Sequence, residues 1–172
     1  MALTGKPARI IVMGVTGCGK TTVGALLAGR LNTVFLDGDD YHPKANVEKM
    51  ASGTPLTDED RWPWLDRLSE VIEQSVADRG GVVLACSALR RVYRDRLTNA
   101  CVEPPLFIHL QGSRDLIHGR MAARRDHYMP VGLLDSQIET LEPIQPDENA
   151  MTMTIDAPAD QIVARILSTE LS

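Results

Sequence analysis

Gly14-Val15-Thr16-Gly17-Cys18-Gly19-Lys20-Thr21, with Thr22 behind it, is the stretch on which the fold turns. It has the G-x-x-x-x-G-K-[ST] spacing of a Walker A phosphate-binding loop. A polyphosphate needs several backbone N–H groups converging on one point, and glycines let the chain curl with no Cβ in the way. The loop should then open a helix, whose first N–H groups lack partners and whose dipole favours an anion. In that setting Lys20 lies against the β- and γ-phosphates, and the Thr21 hydroxyl is a ligand for Mg²⁺.

The flanks agree with this reading. Ala8 to Met13 (A-R-I-I-V-M) ends in a short apolar run of the kind a buried parallel strand shows. Beyond Lys20, apolar residues fall at Val23, Leu26, Leu27 and Leu31, which is helical spacing. Strand, loop and helix occur in the required order, so the sequence reads as nucleotide-binding.

The bulk properties narrow the class. A chain of 172 residues forms one domain with a full core. A hydrophobic content of 44% with 24% charged residues is that of an ordinary soluble protein. The net charge of −5, with no basic stripe, argues against nucleic acid as the main partner. Three cysteines, Cys18, Cys86 and Cys101, make no disulfide framework and have no metal-ligand spacing, which suggests a reducing, cytoplasmic setting. Cys18 reads as a small residue tolerated within the loop. The apolar run Ile10–Val12 is too brief for a signal peptide, and no stretch approaches the length of a membrane span. The histidines show no zinc-ligand pattern, and G-x-S-x-G is absent.

A second strand is expected over Thr33–Leu36, followed by Asp37-Gly38-Asp39-Asp40. Ligands of open parallel sheets gather beyond the carboxyl ends of strands, so Asp37 and Asp39 should emerge on the rim that carries the phosphate loop. One carboxylate is suited to hold Mg²⁺ through water and the other to take a proton from a hydroxyl; the plain alternative is a surface turn. A short helix follows Pro43 and stops at Gly53. Thr54–Asp60 reads as a loop. Trp62 precedes a proline, so the next helix is expected to begin near Pro63, with Leu65, Leu68, Ile72 and Val76 buried and both tryptophans packing. A cation at a helix start opposes the dipole, which marks Arg61 as a residue that serves a ligand.

Val82–Cys86 reads as strand three, with Ser87 at its carboxyl end and an arginine-rich helix after it. Arg90 and Arg91, nearest the strand end, suit an anion, while the other arginines form a solvated face. Leu106–Leu110 is strand four. Ser113 caps a helix to about Arg125, which would put Arg120 and Arg124 on one face. A glycine- and proline-containing segment and a polar helix to Glu142 then read either as a mobile lid or as a solvated basic helix end. Met151–Ile155 and Ala159–Leu171 give a last strand and helix, so the fold class is an open α/β sandwich with a five-stranded parallel sheet. Asp78-Arg79-Gly80-Gly81 precedes strand three and N-K-x-D is missing, which excludes a GTPase. Strand three ends in Cys86-Ser87 rather than a Walker B aspartate, which favours small metabolite kinases over ATPase machines.

Beyond the loop, L-D-G-D-D-Y-H-P at 36–43, N-V-E-K-M-A-S-G-T-P-L-T-D-E-D-R-W-P-W-L at 46–65, C-S-A-L-R-R-V-Y-R-D at 86–95 and S-Q-I-E-T-L-E-P at 136–143 resemble gluconate kinases. The resemblance runs over nearly the whole chain. It implies ATP- and Mg²⁺-dependent phosphorylation of D-gluconate at its 6-hydroxyl, a homodimer, and the P-loop kinase fold shared with shikimate and adenylate kinases. That fold would divide into a core, a substrate-binding region at about 38–80 and a lid at about 125–142. Thr16, Cys18 and Thr21 stand where the family often has serines, and Thr21 keeps the metal-binding hydroxyl. By the resemblance, Gly14, Val15, Thr16, Gly17, Cys18, Gly19, Lys20, Thr21 and Thr22 bind nucleotide. Asp37 joins Thr21 at Mg²⁺, and Asp39 binds substrate and acts as base. Arg61 meets the gluconate carboxylate, with His42, Ser87 and Arg90 as further substrate contacts. Arg120 stacks on adenine, and Arg124 neutralises phosphate charge alongside Lys20.

Overall fold

In the computed structural model, residues 5–124 and 131–170 are described. Five strands form one parallel sheet: β1 (Ala8–Met13), β2 (Val34–Asp37), β3 (Gly81–Ala85), β4 (Leu106–Gln111) and β5 (Ala150–Thr154), in the spatial order β2-β3-β1-β4-β5. Register aligns the carboxyl ends on one rim. Val12 and Asp37 both stand opposite Ala85, and Met13 opposite His109. The acidic pair and the phosphate loop therefore share a rim as expected, with β3 between their two strands.

The continuous apolar strands bury both faces, as period-two alternation in a covered sheet requires. Ile10 and Val12 point to one side, where Val23 and Leu27 of α1 (Lys20–Arg30) and Ile162, Val163 and Ile166 of α7 (Ala159–Glu170) cover them. Ile11 and Met13 point to the other, beneath α3 (Asp58–Arg79) and α4 (Arg91–Ala100). Leu65, Leu68 and Ile72 of α3 are fully buried there.

Three sequence expectations are corrected. The helix expected from Pro63 begins five residues earlier, at Asp58. Thr57 and Asp60 form a reciprocal capping box, and Asp58, Glu59 and Asp60 place three acids against the positive end of the helix dipole. Those contacts outweigh the pre-proline preference of Trp62, so Thr57–Asp60 is a helix start rather than a loop, and Arg61 is the fourth helical residue. Next, α5 (Arg114–Ala123), capped by Ser113 as expected, stops short of Arg124. Arg124 is extended at φ −82°, ψ 106°, so it does not continue a helical face with Arg120. Last, the polar helix α6 runs Val131–Thr140, starting inside the segment read as irregular. Of the expected lid, residues 125–130 lie outside the described residues. No helix among the described residues is long and apolar enough to cross a membrane.

Candidate active site

The phosphate loop is anchored at both ends. Gly14 donates its N–H to the Ser87 carbonyl at 3.3 Å, tying the loop to the segment after β3, and Cys18 closes an inner turn on the Val15 carbonyl at 3.3 Å. Lys20 Nζ donates to the Gly14 and Val15 carbonyls, both at 3.0 Å, which folds the ammonium back over the loop. Gly19 precedes α1 in the left-handed region, φ 98°, a conformation that favours glycine. No side chain caps this helix and no acid stands in its first turn. Thr16 donates its N–H to Gln137 Oε1 of α6 at 2.6 Å. Cys18 is buried, and burial pushes its thiol pKa up, so it packs rather than reacts.

On the acidic side, Asp37 ends β2 and accepts the Asp39 N–H at 3.0 Å, capping a 3₁₀ turn over Gly38–Tyr41 (α2, Lys44–Ala51, follows). Gly38 passes so close to β3 that a Cβ there would meet the Ala85 carbonyl oxygen at 2.7 Å. The turn is clamped from α3, where Trp64 Nε1 donates to the Gly38 carbonyl at 2.8 Å. Trp64 is thus the buried scaffold of the acidic turn. The Asp39 side chain remains open to solvent (84% exposed). Its pKa is nevertheless raised, first by partial loss of hydration near the protein and then by the Asp37 charge, while Lys20 pulls it back. The fully buried Cys86 thiol, pushed up to about 12 chiefly by burial, feels Asp39, Lys20 and Asp37 together. The loop lysine and both aspartates therefore share one electrostatic neighbourhood.

His42 stacks on Trp64 with centroids 4.1 Å apart and an interplanar angle of 17°. Burial, aided by Arg61, lowers its pKa to about 4, which leaves it neutral near pH 7. Buried Asn46 donates to the Asp60 carbonyl at 2.8 Å, and its amide nitrogen is 3.4 Å from His42 Nδ1. Since an amide nitrogen only donates, Nδ1 accepts and Nε2 carries the proton, facing Asp39 Oδ1 at 3.9 Å.

The arginines divide sharply. Arg91 bonds Asp95 at 2.7 Å and takes both oxygens of Asp147, so it is a surface strut rather than an anion contact. Arg94 is 1% exposed and fixes Glu148 at 2.6 Å while donating to the carbonyls of Ala88, Leu89 and Glu142. Arg90 donates to Asp58 at 2.6 Å. Arg61 Nη1 donates to the carbonyls of Leu56 and Thr57. Arg120, in the last turn of α5, donates to the Ile155 carbonyl. Sequence reasoning gave no role to Gln137, Asn46, Asp58 or Tyr93. Only the T-x-x-D pattern at 57–60 carried a local signal.

Comparison with known proteins agrees with this architecture. A family model described as an AAA domain matches residues 10–144. A probable gluconokinase of Rattus norvegicus is 43% identical, with 94% of this chain and 96% of that protein covered. A gluconokinase of Gluconobacter oxydans is 42% identical over 94% of this chain and 90% of its own. The crystal structure of a gluconokinase from Sinorhizobium meliloti superposes with a TM-score of 0.83 at 40% identity, covering 94% of this chain and 90% of that one.

Proposed function

The chain belongs to the gluconokinase family, and from that premise we propose that it transfers the γ-phosphoryl group of ATP to the 6-hydroxyl of D-gluconate, giving 6-phospho-D-gluconate and ADP. The observation that carries this reading is the shared rim. The loop lysine, Asp37 and Asp39 act on one another across the carboxyl ends of β1, β3 and β2.

In this reading the backbone from Gly14 to Thr22 and the open N-terminus of α1 bind the triphosphate, and Lys20 exchanges its loop carbonyls for β- and γ-phosphate oxygens. Mg²⁺ fits the donor set. Thr21 in the first turn of α1 and Asp37 at the end of β2 are hard oxygen donors of the kind Mg²⁺ takes, and phosphates and water would complete its shell. When bound, it would neutralise phosphate charge. Asp39 accepts the proton of the attacking hydroxyl as the new O–P bond forms and the bond to the leaving ADP oxygen breaks. Its raised pKa favours that acceptance. Neutral His42 offers its Nε2–H, and Ser87 its hydroxyl, to the polyol. Arg61 meets the carboxylate, with Arg90 beside it. Arg120 and Arg124 serve the nucleotide on the far side of the loop, as the family likeness implies. Because the transition state of such transfers is loose, most of the work is positioning and charge neutralisation. The same reading takes the protein as a cytoplasmic homodimer. Three unpaired cysteines support the compartment, and the family likeness supports the dimer.

A coupled ADP-release assay over D-gluconate, other aldonic acids and shikimate tests the assignment. Gluconate is expected to give the highest kcat/KM, with phosphate recovered on O6. Absence of ADP release with every sugar acid would overturn it.

A further inference from the structure

The acceptor side holds two guanidiniums that are not equivalent. Arg61 and Arg90 lie 5.4 Å and 5.6 Å from the centroid of the Tyr93 ring. Arg90 has two carboxylates, Asp58 at 2.6 Å and Glu142 at 3.7 Å. Arg61 bonds only neutral carbonyls, and no carboxylate pairs with it among the described residues. Asp58 feels the charge of Arg61 but makes no hydrogen bond or ion pair with it, because both its oxygens are engaged. Oδ2 takes Arg90, and Oδ1 takes the hydroxyl of the buried Tyr93 at 2.6 Å.

We propose that Tyr93 and Asp58 are positioning residues for the acid group of the acceptor: Asp58, held by the Tyr93 hydroxyl, pairs directly with Arg90, while the Tyr93 ring steadies Arg61 as the cation whose remaining donors are left free for a carboxylate. The negative face of an aromatic ring attracts a guanidinium without neutralising it, whereas a carboxylate partner would cancel its charge. An aromatic support is therefore the arrangement that fixes Arg61 and leaves it able to bind an anion. Selection for acids over neutral polyols would rest on this sorting of two like residues. The inference rests on the reading of Arg61 as the gluconate-carboxylate contact.

Steady-state kinetics of Tyr93→Leu and Tyr93→Phe, each alone and with Arg61→Ala, test it. Tyr93→Leu is expected to raise the KM for gluconate about tenfold, with the KM for ATP and kcat within about twofold. Tyr93→Phe keeps the ring but frees Asp58 Oδ1 to turn toward Arg61, and should raise the gluconate KM about threefold. In the Arg61→Ala background neither change should add more than about twofold. Equal rises in both KM values, or full effects persisting without Arg61, would overturn the inference. Should Tyr93→Leu fail to fold, Tyr93→Phe decides, and an unchanged gluconate KM there overturns it. An Arg61→Ala enzyme with normal gluconate KM would instead remove the underlying reading of Arg61.

Discussion

Two helix N-termini face the same problem in this molecule and solve it in opposite ways. α1 starts behind Gly19 with no capping side chain and no acid in its first turn. α3 starts behind Thr57 with a complete capping box and three acids in its first turn. Both ends expose N–H groups and the positive pole of a dipole. The α3 end satisfies its own N–H groups and dipole with acids of its first turn. The α1 end leaves its electrostatic potential for a ligand to use. A helix start that lacks its own anion, at the carboxyl rim of a parallel sheet, is where an external one is wanted.

The largest test of that contrast removes the cation that completes the α1 end. Lys20→Ala should lower kcat by at least about 10²–10³, the range for losing a preorganised charge at a developing anion. Because Lys20 Nζ bonds only two loop carbonyls, the thermal midpoint should move little. Steady-state kinetics with a melt of the same preparation measure both. Near-normal turnover would mean that the open end of α1 is not where the phosphates sit.

A smaller effect comes from making α1 resemble α3. Thr22 is an exposed residue in the first turn of α1, so Thr22→Asp adds the acid that this end lacks. The carboxylate should raise the KM for ATP about tenfold by repelling the triphosphate, while the dipole interaction raises the melting midpoint by about 2–4 °C. Opposite signs in binding and stability are the signature. If both improve together, the contrast between the two ends is not about charge.

The two ends also differ in how much of them could be read from sequence. A backbone cradle needs glycines at fixed local spacing, so Gly14–Thr21 declares itself, and the flanking periodicities identify β1 and α1. The α3 start was misread because Trp62, standing before a proline, promised an extended residue and so placed the helix start near Pro63. Pro63 is the sixth helical residue, where its missing N–H costs one bond to Glu59, and the caps with buried Trp64, Leu65 and Leu68 hold the helix through it. The rest of the site is built by pairings that leave no local trace. Asp58 and Tyr93 are 35 residues apart, and Thr16 and Gln137 are 121 apart. Charge and type made Arg61, Arg90 and Arg91 look alike in sequence. Only their tertiary partners separate a guanidinium with no carboxylate hydrogen-bonded to it from two that have one.

The smallest expected effect lies at the self-capped end, and pH gives it a sign. Asp60 takes the Thr57 N–H at 2.8 Å and Lys49 Nζ at 2.5 Å, and these contacts, led by the lysine, lower its pKa from 3.8 to about 2. A carboxyl depressed in the folded state contributes stability that is fully present above its unfolded pKa and disappears as pH falls through the folded one. Asp60→Ala should therefore lower the melting midpoint at neutral pH by about 2–4 °C, the scale of a lost helix cap. The gap between variant and parent should hold down to about pH 4 and close toward pH 2. The KM for ATP should stay within about twofold, since Asp60 spends its charge on the Thr57 N–H and Lys49 rather than at the phosphate loop. A gap that ignores pH would assign the loss to packing. A shift in the KM for ATP would show that the two helix ends are coupled, because the acid here would then be felt at a phosphate site built on another strand.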